Sequence, residues 1–165
     1  MTYLLDSNTF MAAKKSYYSF AEFPGFWDWL EAKGREGVLA SIAEIQDEIE
    51  SGDEDDELVL WSRAGKAPIF FDPDEGVLTA MTAVTDWVMA QDFKESDRSR
   101  FFAKADPLLI AHAMSKEWTV VTQESFAGPG TKKVKIPNVC AAMDVPCIDT
   151  FQLLATLRAK FVMAP

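Results

Sequence analysis

Tyr3-Leu4-Leu5-Asp6-Ser7-Asn8 decides how this chain is read. An apolar run ends abruptly in an acid, then a hydroxyl, then an amide. In an α/β sheet a buried strand delivers a carboxylate in this way to the carboxyl edge, where such folds place their chemistry. Three further acids stand in comparable settings. Glu48 rides the border of a helix, Asp106 opens one ahead of Pro107, and Glu124 follows Thr119-Val120-Val121-Thr122. Acids gathered at one sheet edge repel each other unless a cation neutralises them. Hard carboxylate oxygens suit Mg²⁺ or Mn²⁺. The expectation is a divalent-metal site of the kind that acts on phosphates.

Outward from that stretch, residues 7–15 are expected to form a first helix, with Ser7 or Asn8 near its cap. Pro24 lies in the first turn of a second helix, which carries Phe26, Trp27, Trp29 and Leu30. Val38, Ile42, Ile45 and Ile49 recur at helical spacing, and Gly52 stops that helix. Residues 58–62 read as a short helix and residues 68–72 as a strand or an extended lead-in. Residues 74–90 form a long amphipathic helix with Leu78, Met81, Val84 and Val88 on its buried side. Helices over 98–103 and 106–115 precede a strand at 119–122. A loop over 126–135 carries Gly128-Pro129-Gly130. A helix at 138–143, a strand at 147–148 and a helix at 150–160 follow. Strands alternating with helices predict an α/β fold, a short, largely parallel central sheet flanked by helices on both faces.

Bulk properties bound the function. A length of 165 residues predicts a single domain over 1–165, and 48% hydrophobic content supplies a proper core. No apolar run approaches the roughly 20 residues that span a bilayer, so no membrane role is expected. No export signal is read, so Cys140 and Cys147 are expected as reduced thiols of a cytoplasmic protein. Their spacing and a single histidine argue against zinc. A net charge of −10 argues against coating nucleic acid through a broad basic face. It leaves open an enzyme that grips phosphates through a metal. Residues 53–57, all acidic, read as the solvated start of a helix.

Each acid also has a plainer reading. Asp6 stands where a helix cap would, and Asp106 likewise. Glu48 fits the polar rim of its apolar stripe; Glu44, one turn earlier, shares that face and is the substitute candidate. Glu124 fits an exposed loop. Asp149 with Gln152 fits a capping arrangement, and His112 between two alanines fits a packing or surface role.

Taken together, the four acids resemble the motifs of PIN-domain proteins, the fold of the VapC-type toxins of bacterial toxin–antitoxin pairs. The first motif is an apolar strand ending in Asp, a small or hydroxyl residue, then Asn: here Leu4-Leu5-Asp6-Ser7-Asn8. The second is a helix acid, an aliphatic residue and, shortly after, glycine: Glu48-Ile49-Glu50-Ser51-Gly52, which favours Glu48 over Glu44. The third is an Asp opening a helix that runs into small residues: Ala105-Asp106-Pro107-Leu108-Leu109-Ile110-Ala111. The fourth is a strand, Thr, one residue and an acid: Val120-Val121-Thr122-Gln123-Glu124, where the family pattern has Asp. The likeness runs the length of the chain, and residues 133–140, 146–149 and Asp56-Glu57-Leu58 ahead of Trp61 are similar to a less-characterised branch of the family.

The resemblance implies Mg²⁺- or Mn²⁺-dependent hydrolysis of RNA. Asp6 and Asp106 are the expected first ligands, and Glu48 and Glu124 complete the set. Ser7, Asn8 and Thr122 orient them. Lys14-Lys15 or Lys132-Lys133-Lys135 are candidates for the phosphate backbone. The dense aromatics Phe20, Phe23, Phe26, Trp27 and Trp29, with Trp29 off the buried face, and the net charge of −10 add the expectation of a cognate antitoxin, or a second copy of the chain, docking on the Trp29 side, with a basic segment of an antitoxin reaching toward Asp6. Two rivals stand. One is a PIN-fold module that binds RNA or protein without catalysis. The other is a haloacid-dehalogenase-like phosphatase, which needs a second Asp where Asn8 stands.

Overall fold

The computed structural model describes residues 1–163. Among these residues a five-stranded sheet has the order β3-β2-β1-β4-β5. Its strands are β1 (Tyr3–Leu5), β2 (Leu39–Ile42), β3 (Phe70–Phe71), β4 (Thr119–Val121) and β5 (Cys147–Ile148), and every pairing is parallel. Tyr3 lies opposite Leu39 on one side and Thr119 on the other, and Leu5 lies opposite Val121. All residues of β1, β2 and β4 are buried, so both sheet faces are covered. A parallel sheet requires this cover, because each crossover lays a helix on a face.

The helices are α1 (Ser7–Ala12), continued by a π-helical turn at Ala13–Tyr17, α2 (Pro24–Arg35), α3 (Ala43–Glu50), α4 (Glu57–Ala64), α5 (Glu75–Ala90), α6 (Glu95–Phe102), α7 (Asp106–Lys116), α8 (Ile136–Ala142) and α9 (Thr150–Thr156). Their starts follow from local chemistry. Asp56 accepts from the Leu58 N–H and Asp74 from the Val77 N–H, each filling an orphan donor of a first turn. Asp149 and Gln152 form the reciprocal capping box that their spacing suggests. Gly65 ends α4 at φ +57, a conformation only glycine adopts without strain.

Two local expectations are corrected. The spacing of Val38, Ile42, Ile45 and Ile49 predicts one continuous helix, yet Leu39–Ile42 is a buried strand and α3 starts only at Ala43. The strand wins because it fits between β1 and β3. The Ser41 N–H donates to the Ile69 carbonyl at 2.7 Å, and the Ser41 hydroxyl to the Leu5 carbonyl at 2.7 Å. Tertiary pairing overrides local periodicity here. On α5, Leu78 is exposed, and Val77 joins Val84 and Val88 in the core.

The chain lays β1, β2 and β3 outward on one side and returns with β4 on the other side of β1. That reversal opens a crevice beyond the carboxyl ends of β1 and β4, the place where open α/β sheets bind their ligands.

Candidate metal centre

Asp6 sits at that crevice, 2% exposed. Its N–H continues the sheet by donating to the Val121 carbonyl at 2.9 Å. Its Oδ1 accepts from the Ser7 N–H at 2.7 Å and its Oδ2 from the Thr122 hydroxyl at 2.9 Å. Asp6 therefore caps α1 and is also fixed from across the sheet. Asn8 supports the same corner: its Oδ1 accepts from the Gln123 N–H at 2.9 Å, and its amide donates to Thr122 Oγ1 at 3.2 Å. Ser7, Asn8 and Thr122 are thus all hydrogen-bonded into the Asp6 corner. Asn8 also leaves no second acid in the phosphatase position.

Glu124 follows β4. Its N–H donates to Thr122 Oγ1 at 3.2 Å, and its Oε2 accepts from the Ile136 N–H at the start of α8 at 2.9 Å. Glu48 reaches from α3 to accept the Ala105 N–H at 2.7 Å, one residue before Asp106. Asp106 is the first residue of α7, whose start at Ala105 carries no side-chain cap. The capping reading of Asp106 therefore fails, and its carboxylate is not spent on its own helix.

The acids act on one another. Burial pushes the Asp6 carboxyl up to about 6. The Thr122 and Ser7 hydrogen bonds oppose that rise, and the charges of Glu124 and Glu48 add to it. Burial likewise pushes Asp106 up to about 7. Asp6, Glu124 and Glu48 add to this rise, and Lys104 opposes it. Four elements distant in sequence thus bring their acids into one field. Glu48, not Glu44, is among the charges acting on both aspartates. Glu44 lines a cavity with Glu48 and keeps a buried Oε2 without a hydrogen-bond partner among the described residues.

Among the described residues, no three His, Cys, Asp or Glu side chains are gathered into a group that could hold a metal ion as they stand. Glu48 and Glu124 are each drawn by one oxygen onto a backbone N–H. The donor set nevertheless fits a hard divalent cation. It consists of carboxylate oxygens, and two of its members are held above their ordinary range by burial and repulsion.

A cleft of about 210 Å³ adjoins the acids. Asp106 and Glu124 line it together with Arg100, Lys104, Lys133 and Lys135. Of the cations expected from sequence, Lys133 and Lys135 are here. Lys14 and Lys132 are instead paired with Asp56 and Asp92. Lys104 and Arg100 escaped the sequence reading; the only signal was that Lys104 lies two residues ahead of Asp106. His112 is buried in α7 and its imidazole is held below the ordinary range by that burial, which makes it a packing residue. Both cysteines are free.

The family model that matches residues 3–161 is described as a domain of unknown function, DUF4411. No curated protein matches the chain. A solved structure described as VapBC2 from Rickettsia felis, bound to a DNA fragment from their promoter, is similar with a TM-score of 0.55. The two chains are 11% identical, and the match covers 90% of this chain and 98% of that one. The likeness is one of fold: a PIN-like parallel sheet wrapped by helices. Among the described residues no helix is long and apolar enough to cross a membrane.

Proposed function

The chain belongs to the DUF4411 family, and on that premise we propose that it is a divalent-metal-dependent ribonuclease, the toxin of a toxin–antitoxin pair. The observation that carries this reading is that the charges of Glu48 and Glu124 act on both Asp6 and Asp106, and that Asp106 and Glu124 line a cleft together with Arg100, Lys104, Lys133 and Lys135. Acids alone would repel RNA. Acids beside cations suit a phosphodiester whose charge is held on one side and whose phosphorus is attacked on the other.

Asp6, Asp106, Glu48 and Glu124 would hold Mg²⁺ or Mn²⁺. Such an ion, when bound, would supply the chemistry of a water of lowered pKa and of a positive charge beside the phosphoryl group. The chain's own residues do the positioning. Thr122 and Ser7 keep Asp6 in one orientation. The Ala105 N–H holds one oxygen of Glu48 and the Ile136 N–H one oxygen of Glu124, so in each the other oxygen would be the one to ligate the ion. Lys133 and Lys135 bind the strand's phosphates as fixed cations.

A second reading, a PIN-fold module that binds without cutting, draws on the acids' not being closed into a metal group as they stand. One experiment separates the two. Purified wild type should cut single-stranded RNA in Mn²⁺ and stop in EDTA. Asp6→Asn and Asp106→Asn should keep the fold and lose cleavage by at least ~100-fold. Variants that cut at the wild-type rate would overturn the nuclease.

The partner proposal rests on the fold neighbour, which is described as a VapBC2 complex, and on exposed aromatics near α2. Phe23 and Phe161 are each more than 40% exposed, and half-buried Trp29 meets Phe161 edge-on at 6.0 Å. Phe26, Trp27 and Leu30 are buried, so the part of this helix left for a partner is the Phe23 and Trp29 side. We propose that an antitoxin docks there.

A further inference from the structure

The loop between Glu124 and α8 does more than carry three lysines. It is pinned along its length. Asn138 clamps Ala127 with two hydrogen bonds, 2.9 Å to its N–H and 2.8 Å from its own amide to the Ala127 carbonyl. The Lys94 N–H holds the Lys132 carbonyl at 3.0 Å, and Glu124 holds the Ile136 N–H at the far end. Between the pins the Gly128-Pro129-Gly130 turn stands clear, since a Cβ added at either glycine would meet nothing within 4 Å.

This loop lines the cleft with Lys133 and Lys135. The same loop also lines a separate cavity of about 430 Å³, with Phe126, Trp87, Phe93 and Gln91 in its wall. Phe93 is buried against Trp87, their rings 5.9 Å apart at 61°, so this wall is rigid and aromatic. Phe126 is 63% exposed, an unusual setting for a phenyl ring on a backbone held by a two-bond clamp. Phe126 is only two residues past Glu124, so their Cα atoms lie within about 7.6 Å of each other.

We infer that this cavity is a subsite for one unpaired nucleobase of the RNA strand, stacked on Phe126, while the strand's phosphates lie in the Lys133–Lys135 cleft. The inference rests on the ribonuclease reading and deepens it. One pinned loop offers a π surface to one cavity and cations to another, the two elements that single-strand binders combine. The occupant follows from this continuity: the molecule whose charge fills the cleft must carry flat, apolar groups about one nucleotide away. Asn138 commits its carbonyl and one N–H to Ala127, and so fixes the platform.

The test is fluorescence anisotropy with labelled RNA hexanucleotides, in Ca²⁺ in place of Mg²⁺ or Mn²⁺. A matching strand of abasic ribose phosphates serves as the comparison. Wild type should bind the base-bearing strand more tightly than the abasic one. Phe126→Ala should weaken the base-bearing strand roughly 5- to 150-fold, the range that one stacked base is worth, and leave the abasic strand unchanged. Phe126→Trp should restore binding. Because Phe126 is exposed, its truncation leaves the core intact. If Lys133→Ala/Lys135→Ala weakens binding and Phe126→Ala does not, the subsite is wrong and the nuclease reading stands. If wild type binds neither strand, both fall.

Discussion

Replacing Asp6 by asparagine should stabilise the metal-free protein, and the size of the gain follows from its surroundings. The Asp6 carboxyl is raised from its ordinary 3.8 to about 6, first by burial. A folded-state pKa above the unfolded one means that the native protein holds this proton more tightly than the unfolded chain does. The contribution is fully present below pH 3.8 and is lost as pH rises through about 6. At neutral pH the loss is roughly 3 kcal/mol. Asparagine removes the buried charge but sets an NH₂ or a mismatched oxygen against Thr122, which costs about 1 kcal/mol. The net gain of about 2 kcal/mol corresponds to a Tm rise of ~4–8 °C for a chain of this size. Thermal melts in EDTA across the acid-to-neutral range should show Asp6→Asn above wild type at neutral pH, with the two curves crossing at pH ~4.5 and the variant about 1 kcal/mol below wild type in stronger acid. Mn²⁺ at about a hundred times its Kd should add about 2.7 kcal/mol to wild type, and little to the variant. An Asp6→Asn protein no more stable than wild type at neutral pH, or a gain that does not shrink toward acid, would refute the reasoning.

Glu48 separates charge from scaffold. Glu48→Gln keeps an acceptor for the Ala105 N–H and should lose RNA cleavage by at least ~100-fold with little change in Tm. Glu48→Ala should lose a further ~1–3 kcal/mol of stability, because that N–H then has no acceptor; equal melting of the two variants would show that the bond holds nothing. Trp29→Ala should reduce co-purification with an antitoxin co-expressed from the neighbouring reading frame while leaving Mn²⁺-induced stabilisation intact. Unchanged capture would move the interface elsewhere.

The parts of the fold legible in the sequence were those with local causes. Asp6 after two leucines, Pro107 behind Asp106 and Gln152 behind Asp149 each state a boundary in a few residues. The second strand was illegible for a physical reason: Leu39–Ile42 runs without a break into α3, and its apolar residues fall by chance on the helical period. Only β1 and β3, supplied from elsewhere in the chain, make it extended. The site divides in the same way. The four acids could be named from motif positions, but which cations stand beside them could not. Lys14 and Lys132 are taken up by Asp56 and Asp92, each about forty residues away. Lys104 and Arg100 reach the cleft because α6 and α7 turn back toward the loop at Lys133.

The corner that holds Asp6 is closed by partners more than a hundred residues later: Thr122 to Asp6 spans 116 positions, and Gln123 to Asn8 spans 115. During synthesis the first acid therefore leaves the ribosome long before the hydroxyl that orients it. β1 meanwhile waits for β4 on its open side. A nascent chain that stops short of Thr122 carries the carboxylate without its setting. Loop closure over such a span is costly, so this corner cannot form until most of the chain has been made.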